Sequence, residues 1–180
     1  MGFRCRWLAV KGRDREAVLR RLKFVATAEI EEEVYDTGLY AVEVDAWLVV
    51  IGDGWDYMNE VKRAQAAMLS DEGDVVYMYT DDSAMAFELA MFSGGKALWS
   101  ITYDGSDGVT APTMEGAVPW DVRVLLARLE KEQTKSGGPK ADVDHIYDLA
   151  PTFAKTLVGF RHDESLSSGD HVPVWQLAAK

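Results

Sequence analysis

The five consecutive apolar residues at 47–51 constrain the fold of this chain more than any other stretch of its sequence. The segment before them, residues 39–45, alternates apolar residues with smaller or charged ones, which is the pattern of a half-buried strand. The apolar run itself has no polar side and ends at the Gly52-Asp53-Gly54 turn. Such a run is typical of a central strand whose two faces are both covered. The sequence therefore predicts a sheet with residues 47–51 near its middle.

Further strands are predicted from shorter alternating patterns. Residues 3–11 indicate a first strand that is exposed on one face, and residues 75–80, 142–149 and 172–177 are expected to be extended. The strongest β signal is a hairpin whose turn is Ser93-Gly94-Gly95. Its inward residues are Met85, Phe87, Leu89 and Met91 on the first strand and Trp99, Ile101 and Tyr103 on the return strand.

Apolar residues at helical spacing predict four helices. The first covers residues 14–23 with Asp14 as its cap, and the second covers residues 55–70. A third runs from Pro119 to the stop at Gly137-Gly138-Pro139, and a fourth covers residues 151–158 before Gly159. Because hairpins dominate and the elements do not alternate strictly, we predict an α+β fold. It is a single domain over residues 1–180, with a mainly antiparallel sheet, about three to four packed helices and a short linker at 135–141.

Charge is distributed unevenly along the chain. Between Glu29 and Asp107 there are eighteen carboxylates against three basic residues, whereas the first 23 residues have eight basic residues and two acids. The whole chain has a net charge of −11. This charge repels nucleic-acid phosphates and anionic membranes, so neither is a predicted partner.

Other sequence signals are mostly absences. No apolar run approaches the roughly 18 residues of a membrane helix, and no signal peptide is recognisable, so we predict a cytoplasmic protein. The lone Cys5 predicts neither a disulfide nor a cysteine metal site. There is no G-x-S-x-G elbow, phosphate loop or His-x-x-x-His pair, and we therefore predict no enzyme activity, no metal and no cofactor.

Acidic residues beside aromatic ones follow several of the predicted strands. Carboxylates steer a basic protein and aromatics anchor it, so these loops are the predicted partner-binding surface. The alternative is a solvated loop surface in which each aromatic is the last buried residue of its strand. Whether the loops converge on one rim of the sheet is left open. The predicted binding residues are Glu31, Glu32, Glu33, Asp53, Trp55, Asp56, Tyr57, Asp81, Asp82, Asp104 and Asp107.

A second candidate site is the run Arg161, His162, Asp163 and Glu164. A histidine beside carboxylates is able to act as a general acid and base or to bind a ligand. Adjacent residues of an extended loop point to different sides, however, so this spacing does not give a shared face. A surface or structural role is the favoured interpretation, and the ligand site is the alternative.

Three sequence segments carry a family resemblance. They are CRWLAVKG at 5–12, LWSITYD at 98–104, and DVDHIYD at 142–148, which runs on to GFRHD at 159–163. With these segments in this order, the chain resembles a family of uncharacterised small bacterial proteins over most of its length. The resemblance implies a bacterial, single-domain origin, and it implies no activity and no site residue.

The leading hypothesis is therefore a binding protein. We expect an immunity protein or antitoxin-like inhibitor that neutralises a basic toxin or effector by covering its active site with the acidic loops. Trp55, Tyr57 and the carboxylates around them are the first interface prediction. The alternatives are a small-ligand-binding protein or hydrolase-type enzyme that uses the His162 run, and a scaffold or oligomer subunit. The sequence leaves the oligomeric state open.

Overall fold

The computed structural model describes residues 3–30, 37–106, 111–164 and 172–180. These residues form nine strands and four α-helices. The helices are α1 (Arg15–Leu22), α2 (Arg63–Leu69), α3 (Trp120–Lys135) and α4 (Leu149–Val158). The strands are β1 (Arg4–Lys11), β2 (Phe24–Ile30), β3 (Gly38–Val44), β4 (Trp47–Asp53), β5 (Val75–Asp81), β6 (Ala86–Ser93), β7 (Lys96–Asp104), β8 (Thr113–Gly116) and β9 (Val174–Ala179).

All nine strands belong to one sheet, in the order β2-β9-β3-β4-β1-β5-β6-β7-β8, and every neighbouring pair is antiparallel. The predicted α+β class with an antiparallel sheet is confirmed. The apolar run of β4 lies inside the sheet between β3 and β1, as its lack of a polar side predicted. The β6–β7 hairpin is also confirmed.

Each face of the sheet has its own hydrophobic core. On the first face, Trp7 and its neighbours pack against α3 and α4, through residues such as Val122 and Phe153. On the second face, Leu8 and Val10 pack with Leu19 of α1 and with residues of α2. The prediction that the first strand is exposed on one face is therefore wrong, because α1 and α2 cover the second face from Leu8 onward.

Helices α1, α3 and α4 follow their predictions closely. The Asp14 side chain accepts a hydrogen bond from the Ala17 amide, as an N-cap residue does, and Gly159 ends α4 in the left-handed conformation. The second helix is shorter than predicted, because only Arg63–Leu69 is α-helical and residues 54–61 form turns. The backbone of Tyr57 occupies the space where a side chain on Gly52 would lie, so these turns pack directly onto β4.

Two other predictions need correction. Residues 142–149 are not extended, since Ile146–Asp148 form a 3-10 turn that leads into α4. The Asp144 carboxylate accepts hydrogen bonds from the amides of Ile146 and Tyr147 and so starts that turn. Strands β2 and β8 were not predicted. Both lie at the edges of the sheet and are largely exposed, so they lack the alternation that marks a half-buried strand.

The predicted linker region begins at the C-terminus of α3. Gly138–Lys140 form a 3-10 turn, and the Gln133 side chain of α3 donates a hydrogen bond to the Gly138 carbonyl. The same Gln133 side chain accepts a hydrogen bond from the His145 amide, which ties this segment to the helix. No helix among the described residues is long and apolar enough to cross a membrane.

Candidate functional site

Three of the predicted carboxylates lie at one end of the sheet. Strands β4, β5 and β7 run in the same direction and end at Asp53, Asp81 and Asp104. Across the sheet, Asp53 of β4 lies opposite Cys5 of β1, and the preceding residue of β1, Arg4, lies opposite Asp81 of β5. On its other side Asp81 lies opposite Ala86 of β6, which in turn lies opposite Asp104 of β7. We call this end of the sheet, together with the adjoining Trp55, Asp56, Tyr57 and Asp82, the acidic end.

The most exposed part of the acidic end is the turn after β4. Trp55 is 70% exposed and Tyr57 is 40% exposed, and Asp56 between them is also exposed. These aromatics are therefore not the last buried residues of their strand. The guanidinium of Arg4 lies over the Trp55 ring, 3.7 Å from its centroid, in a cation–π contact. The turn thus presents aromatic surface beside carboxylates.

Asp81 has an internal role in the structure. It is only 4% exposed, forms an ion pair with Arg4, and accepts hydrogen bonds from the Ser83 amide and hydroxyl at 3.0 and 2.6 Å. Burial by itself would raise the pKa of Asp81, but the hydrogen bonds from Ser83 and Arg4 outweigh burial and lower it. Asp81 therefore stabilises this edge of the sheet and holds Arg4 in place beneath Trp55.

Asp82 is also held by internal contacts. One of its carboxylate oxygens accepts the Phe3 amide at 2.8 Å, and the other accepts the Tyr147 hydroxyl at 2.5 Å. Since Tyr147 gives its only proton to Asp82, the Thr80 hydroxyl donates to the Tyr147 oxygen. Burial, followed by the hydrogen bond to Asp82, raises the pKa of Tyr147. These bonds connect the 3-10 turn before α4 to the acidic end.

Asp53 differs from Asp81 because no cation among the described residues pairs with it, and it accepts fewer hydrogen bonds from the described residues than Asp82 does. It is half-buried and accepts the Gly54 amide at 2.9 Å, and within the described residues no other hydrogen bond and no ion pair to its side chain is found. Burial raises the pKa of Asp53, the Gly54 amide partly opposes this, and the negative charge of Asp82 adds to it. The folded protein therefore holds an unneutralised carboxylate in a partly desolvated place.

The remaining predicted acids are placed as follows. Asp104 is exposed, and it accepts the amide and hydroxyl of Ser106 at 3.1 and 2.6 Å. Asp107 lies outside the described residues, as do Glu31, Glu32 and Glu33. The last described residue before these glutamates, Ile30, pairs with Val174 at the end of the sheet opposite the acidic end.

The run from Arg161 to Glu164 lies beside the acidic end, but its side chains face two directions. Arg161 contacts Asp148 at 2.6 Å and Asp163 at 2.6 and 2.9 Å. Glu164 lies 3.5 Å from Arg161 and forms an ion pair with Lys155. These charged groups form a network on the outside of the segment.

His162 points inward, away from that network. It is 7% exposed and its ring meets the Phe3 ring edge-on, with centroids 5.7 Å apart. Burial is the main effect on its pKa and lowers it, against the attraction of Asp163 and Asp82. The run therefore does not place the imidazole and the charged side chains in one concave site.

Cys5 lies among these groups but is not an activated thiol. It is fully buried on the first face, directly opposite Asp53 and Thr80 on the two neighbouring strands. Burial, followed by the negative charges of Asp53, Asp82 and Asp163, raises the pKa of the Cys5 thiol. A reactive cysteine needs the opposite environment, in which nearby positive charge lowers the pKa.

A cleft of about 450 Å³ lies at the opposite end of the sheet, between the β1–α1 and β3–β4 connections. Its wall has both signs of charge, with Arg13 and Arg15 facing Glu43 and Asp45. Arg13 pairs with Glu72, and Arg15 stacks on Trp175 at 3.9 Å. Each arginine thus has a partner, while Nη1 of Arg13 and Nε of Arg15 are buried without a hydrogen-bond partner among the described residues. In the described part of the chain, no group of three or more histidine, cysteine or acidic side chains is arranged to hold a metal.

Sequence reasoning missed several residues of the acidic end, namely Phe3, Thr80, Tyr147 and the pair formed by Tyr103 and Asp144, whose side chains are 2.6 Å apart. The one available signal was Asp144, which precedes Tyr147 by three residues as an N-cap residue does.

Comparison with protein-family models, with curated proteins and with solved structures finds no match. The resemblance to small bacterial proteins stays a prediction.

Proposed function

We propose that this chain is a binding protein that holds a basic protein partner at the acidic end of its sheet. The observation that carries the proposal is the exposure of Trp55 and Tyr57 at the same edge as Asp53, Asp56 and Asp104. A few aromatic or arginine anchors contribute most of the binding free energy of an interface. Complementary charge raises the rate at which the two proteins associate. The turn after β4 supplies both kinds of residue within five positions.

The function that fits such a surface is inhibition by covering. Proteins that act on polyanions have basic clefts, and an acidic rim with aromatic anchors is complementary to a cleft of that kind. We therefore propose an immunity protein or antitoxin-like inhibitor that neutralises a basic toxin or effector. The enzyme and ligand-binding alternative draws no support from the Arg161–Glu164 run, because His162 and the charged network face different directions.

The experiment is co-expression of the chain with the product of the adjacent gene, followed by purification and a binding titration. The test variants are Trp55→Ala and Asp56→Lys, since both side chains are exposed; Trp55→Ala also removes the contact of the indole with the Arg4 guanidinium. Trp120→Ala is a matched control for the aromatic residue, because Trp120 is 74% exposed on α3. Glu43→Lys is the control for charge, because Glu43 is exposed near the opposite end of the sheet.

We expect Trp55→Ala to weaken binding by at least about thirty-fold, the effect of losing an anchor worth roughly 2 kcal/mol. Asp56→Lys should slow association, and this effect should shrink as salt is added. Both control variants should bind like the wild type. Equal losses in test and control variants, or binding that responds neither to salt nor to these substitutions, would remove the basis of the proposal.

A further inference from the structure

His162 is a buried side chain with an unsatisfied polar atom. Its Nδ1 is inaccessible to solvent and has no hydrogen-bond partner among the described residues. The ring packs edge-on against Phe3, at an interplanar angle of 85°. A neutral imidazole tolerates this place, whereas an imidazolium needs an acceptor for each of its two N–H groups. The contact with Phe3 therefore depends on the ring staying neutral.

Phe3 joins His162 to the acidic end. Its amide donates to the Asp82 carboxylate at 2.8 Å, and its carbonyl accepts the Asp82 amide at 2.9 Å. The same Asp82 carboxylate accepts the Tyr147 hydroxyl. Any movement of the Phe3 backbone must therefore break two hydrogen bonds that hold the backbone and the carboxylate of Asp82.

The charged groups around His162 come from two parts of the chain. Asp163 and Arg161 belong to its own segment, and Asp82 follows β5. The two carboxylates favour an imidazolium, while Arg161 and, above all, burial oppose it. An imidazolium has a lower free energy when it moves from the buried position into water or towards a carboxylate. That movement removes the desolvation penalty and keeps the attraction to the carboxylates.

We propose that His162 is a proton-sensitive latch on the acidic end: the neutral ring holds Phe3 against Asp82, and protonation releases both. The latch regulates the surface to which we assign partner binding, so its biological role rests on the proposed function. The latch itself is a property of the free chain. At neutral pH Asp82 is fixed, and as the pH falls below about 6.5 the population with a released Phe3 rises.

The size of the effect follows from linkage. If the released histidine has the ordinary pKa of about 6.5 and the latched ring stays neutral, the opening constant increases by about tenfold between pH 7.5 and pH 5.5. Local opening of this kind appears as a loss of hydrogen-exchange protection at the amides that the latch holds.

The experiment measures hydrogen-exchange protection factors of the free protein by NMR at pH 7.5 and pH 5.5. The reporting amide is that of Asp82, which donates to Phe3. The internal control is the Gly12 amide, which donates to the Ala46 carbonyl at 2.8 Å at the opposite end of the sheet. His145→Gln is the control variant, since His145 contacts Ser136 and not the latch.

Two substitutions separate the states of the latch. His162→Phe keeps an aromatic ring against Phe3 and cannot be protonated, so Asp82 should stay protected at both pH values. His162→Ala removes the contact, so Asp82 should be poorly protected at both. In the wild type and in His145→Gln, protection at Asp82 should fall by about tenfold on acidification while that of Gly12 does not.

The proposal is overturned if protection at Asp82 does not change with pH in the wild type. It is equally overturned if His162→Phe loses the same protection on acidification as the wild type does. Because the wild-type comparison needs no variant, it decides the matter even if a substitution prevents folding. Partner binding is measured separately at pH 7.5, so either idea can fail while the other stands.

Discussion

Removing the Tyr147 hydroxyl tests how the 3-10 turn and the acidic end are held together. Tyr147→Phe keeps the ring, which packs 6.3 Å from that of Phe87, and deletes only the oxygen between Thr80 and Asp82. Thr80 is completely buried, so its hydroxyl is left without an acceptor. The charged carboxylate of Asp82 loses the hydrogen bond that the Tyr147 hydroxyl donates to it. We therefore expect a measurable loss of stability without a loss of fold.

The magnitude follows from the two groups left behind. A hydrogen bond to a charged group contributes about 1.5–3 kcal/mol, and an unsatisfied buried polar group costs about 1–3 kcal/mol. The two effects overlap, because one oxygen serves both partners, so we expect Tyr147→Phe to lower the free energy of unfolding by about 3 kcal/mol. In a chain of this size that corresponds to a fall in Tm of roughly 6–12 °C.

The assay is urea unfolding followed by circular dichroism, extended to a double-mutant cycle with Thr80→Val. Replacing both partners by apolar groups leaves no orphaned hydroxyl at Thr80, so the double variant should lose about 1–2 kcal/mol less than the sum of the single variants. The control is Tyr57→Phe, whose exposed hydroxyl has no protein partner among the described residues. It should lie within about 0.5 kcal/mol of the wild type.

Two results would refute this reasoning. Tyr147→Phe could match Tyr57→Phe, in which case the hydroxyl supports nothing. Alternatively, the effects of Tyr147→Phe and Thr80→Val could add without any coupling, in which case the two hydroxyls do not act together.

Two further predictions concern neighbouring groups. Asp53→Asn should stabilise the free protein at pH 7, because it keeps the acceptor for Gly54 and removes a carboxylate whose pKa is raised on folding. The wild-type carboxylate destabilises the fold less once it is protonated, so the advantage of the variant in urea unfolding should shrink from pH 7 towards pH 4. A variant that is less stable than the wild type at pH 7 would contradict this prediction. The buried Cys5 thiol should react with an aromatic disulfide reagent only as fast as the protein unfolds, and rapid reaction of the native protein would show an accessible thiolate instead.

The strands that the sequence predicted are those whose own residue pattern, either apolar throughout or alternating, indicates how they are buried. β4 is apolar throughout, and β6 and β7 alternate cleanly around a glycine turn, so tertiary context was not needed to recognise them. Edge strand β2 is exposed over most of its length, and its short apolar stretch has no periodicity. The Trp55–Ser70 region has helical spacing at Met58 and Val61, both buried, yet contact with Gly52 holds residues 54–61 as turns, and the helix begins only at Arg63.

The site was predictable only in part, for a related reason. The sequence placed acids and aromatics after several strands, but only the pairing of β4 and β5 with β1 brings Asp53 and Asp81 to one edge. The contacts of Asp82 with Phe3 and Tyr147 join residues about 80 and 65 positions apart in the chain, and no local pattern indicates them. Spacing within the Arg161–Glu164 run predicts no shared face, yet Arg161 forms ion pairs with both Asp163 and Glu164, and it is His162 that is buried apart from them.

The structure also changes how the charge of the chain relates to a partner. Asp81 is neutralised by Arg4, which comes from the basic N-terminal region, and the Asp82 carboxylate accepts two internal hydrogen bonds. Neither carboxylate is free to meet an incoming cation. The charge left for the proposed partner at the described acidic end is that of Asp53 and Asp56 beside the exposed indole of Trp55, and that of Asp104 farther along the same end of the sheet. Charge reversal at Asp81 or Asp82 would therefore measure stability, whereas substitutions at Asp53, Asp56, Asp104 and Trp55 test the proposed recognition.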